Sequence, residues 1–252
     1  MKEQIYTIPV NDAFNQNKIC PVCELELKRT EQLIEYYLGP SLMEPDNRVE
    51  TNKKGFCNEH FAKLYNSQEN RLGFALMTHT LMLEQRKKLE KILTLASSSA
   101  RKDFFNFRGN SESNLEKAAG EIRETVMSCA LCDRLKKTME NYFDVIFYQY
   151  KEDSKFRPKF KDIVGFCLPH LADLLEKSQK YLRAKDIPDF VTLLKLVEIN
   201  RYEALAAELE WFTMKFDYKN KEKPWNNSRT AIPRSINFIS GHANLDRDDS
   251  DD

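Results

Sequence analysis

Apolar residues recur at helical spacing along most of this chain. Three long stretches show the pattern, at residues 20–38, 72–96 and 189–216. In the second, Ala75, Met82, Leu89 and Ala96 recur every seven residues, and His79 lies on the same stripe. No run of alternating apolar and polar residues is long enough to predict a strand. The pattern therefore predicts a mainly α protein.

Glycine and proline mark where this periodicity stops. Gly39-Pro40 is expected to end the first long helix, because glycine adopts the left-handed cap and proline cannot continue a helix. Three segments lack helical periodicity and are expected to be irregular: 1–18, 40–54 and 219–240. The last still carries Trp225 and Phe238, which predicts a strap laid across the helices; the alternative is a segment that binds a partner. Residues 246–252 are acidic and are expected to be disordered.

Two similar frames contain all six cysteines and two of the four histidines. Each frame is a Cys-x-x-Cys pair followed by Gly-Phe-Cys-x-x-His: Cys20, Cys23, Cys57 and His60, then Cys129, Cys132, Cys167 and His170. Cys129 follows Cys20 by 109 positions, and Cys167 follows Cys57 by 110. The two offsets differ by only one residue, which indicates an internal duplication.

The duplication predicts two tandem helical pseudo-repeats. We expect repeat 1 with its N-terminal arm at 1–100, a linker at 101–114, repeat 2 at 115–218, and a strap with an acidic tail at 219–252. Each repeat is expected to be stapled by its own Cys3His site. On this hypothesis Cys20 and Cys23 share a metal with Cys57 and His60, and the second frame holds its own ion.

Three thiolates and one imidazole are the ligands of a closed, tetrahedral structural zinc site. We therefore expect two zinc ions per chain. Both pairs of each frame are expected at helix starts, where backbone N–H groups and the helix dipole favour thiolates. Four protein ligands leave no open position for a catalytic water.

Other interpretations of the frames remain open. An iron–sulfur cluster can use three cysteines and a histidine, and buried cysteines can be unliganded. Cys20-Pro21-Val22-Cys23 also resembles a glutaredoxin-type active site, although no preceding strand is visible and Ala130 replaces the proline in the second frame. A zinc–thiolate switch that releases metal on oxidation would use the same residues.

Charge and composition exclude several functions. Lys+Arg and Asp+Glu are balanced at 39 each, so the chain lacks the basic footprint of a general nucleic-acid binder. No apolar signal segment opens the sequence and no apolar run is long enough to span a bilayer, so a cytoplasmic, reducing location is expected. No phosphate loop, nucleophile elbow or well-spaced carboxylate pair points to an enzyme, although an enzyme stays possible.

Several further motifs resemble an uncharacterised bacterial family from Firmicutes, catalogued as a domain of unknown function. They run from Ile8-Pro9-Val10 through Tyr37-Leu38-Gly39-Pro40 and Lys54-Gly55-Phe56-Cys57 to Lys223-Pro224-Trp225. The resemblance covers nearly the whole chain. It implies a soluble bacterial protein and supplies no activity, substrate or partner.

These observations favour a non-enzymatic scaffold or adaptor that binds an unidentified protein partner. Two alternatives remain: a thiol-based redox or metal sensor, and an enzyme with an unrecognised active site between the repeats.

Overall fold

The protein folds into α-helices. The structure is a computed structural model and describes residues 2–16, 19–103, 114–243 and 245. No strand occurs in those ranges, which confirms the expected mainly α class. The α-helices, in chain order, are α1 (Lys2–Gln16), α2 (Pro21–Leu38), α3 (Pro45–Lys54), α4 (Asn58–Asn66), α5 (Arg71–Asp103), α6 (Asn114–Met127), α7 (Ala130–Glu152), α8 (Lys159–Asp162), α9 (Leu168–Tyr181), α10 (Ile187–Met214) and α11 (Ala231–Ser240). Short 3-10 turns lie at Pro40–Met43, Ala184–Asp186, Tyr218–Asn220 and Asn226–Thr230.

The chain divides into two compact units that are not consecutive repeats. The discontinuous unit contains Met1–Lys28 and Thr138–Asp252, and the continuous unit contains Arg29–Lys137. These bounds differ from those of the expected repeats at 1–100 and 115–218, which stay a prediction from the sequence. The unit boundaries fall inside α2 and α7.

Aromatic rings fill the core of the discontinuous unit. Phe14 of α1 lies with its ring centroid 4.8 Å from that of Phe156 and 5.1 Å from that of Phe160. Phe160 in turn contacts Phe166, at 5.8 Å, and Phe190 of α10. All five side chains are buried, and aromatic pairs at these distances contribute about 0.5–1.5 kcal/mol each beyond their burial.

Helix α5 organises the continuous unit. Its N-terminal half packs against α3 and α4, and its C-terminal half packs against α6. A row of edge-to-face rings runs from Tyr37 through Phe56 and Phe61 to Phe74 of α5. The heptad stripe of α5 does not face this core: Ala75, Met82 and Leu89 are exposed and only Ala96 is buried.

Three segments expected to be irregular contain helix instead. Residues 2–16 form α1 despite Pro9, because Val10, Ala13 and Phe14 are buried and tertiary packing offsets the lost backbone hydrogen bond. Pro45 begins α3 within the expected loop at 40–54, as proline suits a first helical turn. Within the expected strap, Pro233 lies in the first turn of α11, and that helix packs on α9 and α10.

Two expectations fall partly or wholly outside the described residues. Helix α5 runs to Asp103 into the expected linker, whose remaining residues 104–113 are outside the described range, as is the acidic end 246–252. Across the described ranges, no helix combines the length and the apolar character needed to cross a membrane.

Candidate metal centres

All four ligand pairs lie at helix N-termini, in the same local geometry. The first cysteine of each pair immediately precedes a helix, and the second ligand follows three residues later in its first turn: Cys20 and Cys23 at α2, Cys57 and His60 at α4, Cys129 and Cys132 at α7, and Cys167 and His170 at α9. This spacing puts both side chains of a pair on one face of the helix start. The helix dipole and the unpaired N–H groups there favour thiolates.

The structure pairs these helix starts differently from the tandem hypothesis. Site A brings together Cys20, Cys23, Cys167 and His170, and site B brings together Cys57, His60, Cys129 and Cys132. The prediction that Cys20 and Cys23 share a site with Cys57 and His60 is wrong, as is its counterpart in the second frame. Each site combines half of one frame with half of the other. Each also lies entirely within one compact unit, site A in the discontinuous unit and site B in the continuous unit.

Site A is compact and buried. His170 Nδ1 lies 3.6 Å from Cys20 Sγ, 3.3 Å from Cys23 Sγ and 3.2 Å from Cys167 Sγ. The sulfurs of Cys23 and Cys167 are 3.5 Å apart. All four residues are buried, although a cavity of ≈ 50 Å³ borders the three cysteines.

Site B has the same geometry with a more open surface. His60 Nδ1 lies 3.2 Å from Cys57 Sγ, 3.4 Å from Cys129 Sγ and 3.3 Å from Cys132 Sγ. The Cys57 and Cys132 sulfurs are 3.8 Å apart. The Cys132 backbone N–H also donates to Cys129 Sγ, at 3.3 Å. Cys132 is exposed and Cys57 is half-buried, so site B is the more accessible of the two.

These distances are within about 0.4 Å of the edges of a metal tetrahedron. Zn–S bonds of about 2.3 Å and Zn–N bonds of about 2.0–2.1 Å, at tetrahedral angles, place sulfurs about 3.8 Å apart and sulfur about 3.6 Å from nitrogen. In each quartet, one ligand atom from every residue lies within 4.8 Å of all the others. Both histidines offer Nδ1 to the sulfurs, so the two sites are equivalent in donor set.

The side chains of site A shift one another's pKa values. Burial and hydrogen bonds with Cys167 and Cys23 raise the pKa of Cys20. Hydrogen bonds with Cys20 and Cys23 lower the pKa of Cys167 well below its usual range. Burial alone would lower the pKa of His170, but contacts with Cys167, Cys23 and Glu26 raise it to about 12. These shifts favour the thiolate at Cys167 and the neutral thiol at Cys20.

Two carboxylates support the ligands of site A from outside the quartet. Glu26 Oε2 lies 3.4 Å from His170 Nε2, the ring nitrogen that faces away from the sulfurs. Such a carboxylate fixes the tautomer and orientation of a metal-bound histidine. Glu198 of α10 accepts a 2.8 Å hydrogen bond from the Phe166 backbone N–H, which anchors the loop before Cys167.

A backbone hydrogen bond joins the two halves of site B. The Ala130 N–H donates to the Gly55 carbonyl, at 3.0 Å. Gly55 has φ of 64°, in the left-handed region that favours glycine, and Gly165 of the other frame has φ of 101°. The first frame has Pro21 where the second has Ala130, so an equivalent N–H does not exist at site A.

Residues 1–246 match a family of unknown function, DUF6062. The chain belongs to this family. The expectation of a family of unknown function is thereby confirmed over nearly the whole chain. No curated protein and no solved structure matches it.

The sequence identified all eight clustered residues of this DUF6062 protein but missed their supporting partners. Glu26 lies one turn after Cys23 on α2, and its counterpart in the second frame is Leu135, so the duplication gives no signal for it. Glu198 is distant in sequence from either frame. His79, expected in the core or at its boundary, is exposed on α5 and belongs to neither quartet.

Proposed function

We propose that this DUF6062 protein is a non-enzymatic helical scaffold in which two zinc ions each staple one compact unit, holding a helical surface for a protein partner. The observation that carries the proposal is the pair of Cys3His quartets with tetrahedral edge lengths. Soft thiolates with one imidazole favour zinc over hard cations. Each quartet supplies four protein ligands, which is the donor count of a structural rather than a catalytic site.

The position of the ligands supports a stapling role. Site A joins the start of α2 to the start of α9, and site B joins the start of α4 to the start of α7. A metal therefore closes long chain segments that no disulfide closes, because all six cysteines are free. Thiolate ligands must stay reduced, which fits the expected cytoplasmic location.

Elemental analysis of protein purified without added metal tests the proposal. Two zinc ions per chain are expected, and cobalt substitution is expected to give the visible bands of a tetrahedral thiolate site. A strong chelator is expected to remove the metal together with helical circular dichroism, because the binding energy is folding energy. A fully folded protein with less than about half an ion per chain, or a brown iron-containing one, would contradict it.

A second function is favoured by the exposure of Cys132. In this alternative, site B is a redox-responsive site. Hydrogen peroxide accepts two electrons from the Cys132 thiolate and one neighbouring thiolate, Cys57 or Cys129. The two sulfurs form a disulfide, two protons and the peroxide yield two water molecules, and Zn²⁺ is released. The buried quartet of site A reacts more slowly, because accessibility of the thiolate controls oxidation.

Single-site chains separate these functions. Cys167→Ser leaves site B alone, and Cys57→Ser leaves site A alone. If site B is the sensor, peroxide releases zinc faster from the Cys167→Ser chain than from the Cys57→Ser chain, and dithiothreitol restores binding. Equal release rates, or faster release from site A, would leave the scaffold role without a redox function at site B.

A further inference from the structure

Helix α5 carries an apolar stripe that the core of its own unit does not cover. Seven positions alternate three and four residues apart along one exposed side of the helix: Leu72, Ala75, His79, Met82, Arg86, Leu89 and Leu93. We call these residues the α5 seam. Leu72 is 73% exposed, Met82 is 64% exposed and Leu93 is 52% exposed. Alternating spacing of this kind is the pattern of a helix that packs lengthwise against another helix.

The two ends of the seam have different shapes. At the N-terminal end, a groove of ≈ 610 Å³ opens between α4 and α5 and is lined mainly by apolar and aromatic side chains, among them Leu64, Tyr65 and Phe74. Ala75 and His79 of the seam border this groove. At the C-terminal end, Leu89 and Leu93 are exposed side chains on the same side of the helix. The N-terminal end of α5 thus presents a groove, and the C-terminal end presents protruding leucine side chains.

From this complementarity we propose that α5 binds α5 of a second copy of the chain, antiparallel, through the seam. Ala75 of each copy then faces Leu93 of the other, and His79 faces Leu89. Leu89 and Leu93 of each copy fill the groove of the other copy. The same contact therefore forms twice, as a two-fold symmetric interface requires. The proposal rests on the scaffold function and names the partner as a second copy.

The charge distribution favours the antiparallel direction. Residues 72–83 contain no Asp, Glu, Lys or Arg, whereas Arg86, Lys87, Lys88 and Lys91 outnumber Glu84 and Glu90 in the next segment. A parallel pair would place Arg86 against Arg86 inside the seam and leave the groove facing another groove. An antiparallel pair places the charged segment beside the uncharged one, so like charges are kept apart.

The size of the seam is sufficient for a dimer. Leu72 to Leu93 spans about 32 Å of helix. Its large apolar side chains, with the adjacent exposed Leu76 and Leu83, leave on the order of 500 Å² of apolar surface per copy. With a polar rim, that area approaches the roughly 800 Å² per partner of a standard protein interface.

Charge substitutions across the expected contact test the proposal. Analytical ultracentrifugation of the metal-loaded protein is expected to show a monomer–dimer equilibrium. Leu93→Glu or Ala75→Lys alone is expected to weaken the dimer about tenfold or more. A mixture of the two single variants is expected to form a heterodimer, because the introduced lysine of one chain meets the introduced glutamate of the other while the second contact stays native. Val49→Glu, at a 67% exposed position on α3, is the matched control and should leave the dimer unchanged.

Circular dichroism and zinc content are measured on the same samples. A folded wild-type protein with two zinc ions that sediments only as a monomer overturns the dimer but leaves the scaffold function standing. A Leu93→Glu chain that dimerises as the wild type does, or a mixture that fails to associate, also overturns this interface. A chain that dimerises without bound zinc supports the interface and contradicts the metal staple.

Discussion

Cys23 Sγ lies 3.3 Å from His170 Nδ1, across 147 positions of sequence. This contact crosses the two frames of the duplication, since each frame contributes one half of site A. The equivalent contact at site B joins His60 to Cys132, across 72 positions. Each quartet therefore lies within one compact unit and combines halves of the two sequence frames.

Paired cysteine substitutions report which ligands share an ion. We expect Cys20→Ser with Cys167→Ser to remove one zinc per chain, because both residues belong to site A. We expect Cys20→Ser with Cys57→Ser to remove both zinc ions. Elemental analysis of the purified double variants checks this. If the sites were tandem, Cys20→Ser with Cys57→Ser would lose a single ion, and Cys20→Ser with Cys167→Ser would lose both.

The Glu26 carboxylate is expected to strengthen site A through His170. Glu26→Gln removes the charge that orients the imidazole, so we expect zinc affinity at site A to fall about 10–100-fold. Competition with a chromophoric chelator, in a Cys57→Ser background that lacks site B, measures this affinity. Glu31→Gln, at an exposed position on the same helix, is the control. Equal zinc affinities for the Glu26→Gln and Glu31→Gln chains would show that Glu26 does not support site A.

The hydrogen bond between Ala130 and Gly55 is expected to stabilise the continuous unit. Ala130→Pro deletes the donor while keeping a residue that the first helical position tolerates. We expect the free energy of unfolding to fall by about 1 kcal/mol, and hydrogen exchange to accelerate around site B. Pro21→Ala at the corresponding position of site A is the control, since no backbone N–H is lost there. An unchanged Ala130→Pro protein would show that the bond contributes nothing net.

Lys215 is expected to hold the segment that follows α10. Its buried ammonium donates to the carbonyls of Asn220, Lys221 and Lys223 at 2.8, 2.7 and 2.5 Å, and it lies over the Trp225 ring. Lys215→Met leaves these carbonyls without that donor, so we expect a loss of about 3 kcal/mol in unfolding free energy.

Hydrogen exchange between residues 218 and 230 shows whether the loss is local to that segment. The exposed Lys219→Met is the matched control and is expected to have little effect. Unchanged protection in the Lys215→Met protein would contradict the anchoring role.

Local sequence determined the helical class, the eight clustered residues and their placement at helix starts. Each of these features depends on neighbouring residues, such as Cys57 immediately before α4 and His60 in its first turn. The helix stop at Gly39-Pro40 is confirmed, since α2 ends at Leu38, but the expected left-handed cap is wrong, because Gly39 has φ of −97°. The helices α1 and α11 were missed, because tertiary burial of residues such as Phe14 and Phe238 outweighs the local effect of proline.

The pairing of the ligand halves was decided only by the tertiary structure. Both frames offer identical donors, so coordination chemistry does not distinguish crossed from tandem sites. Chain entropy favours the tandem arrangement only slightly. The tandem loops Cys23–Cys57 and Cys132–Cys167 hold 33 and 34 residues, whereas the crossed loops His60–Cys129 and Cys23–Cys167 hold 68 and 143. Each doubling of loop length costs about 0.6 kcal/mol, so the crossed arrangement costs about 2 kcal/mol more. Packing of the cores selects the crossed arrangement. It likewise left the α5 seam exposed, although its periodicity alone is equally typical of a buried stripe.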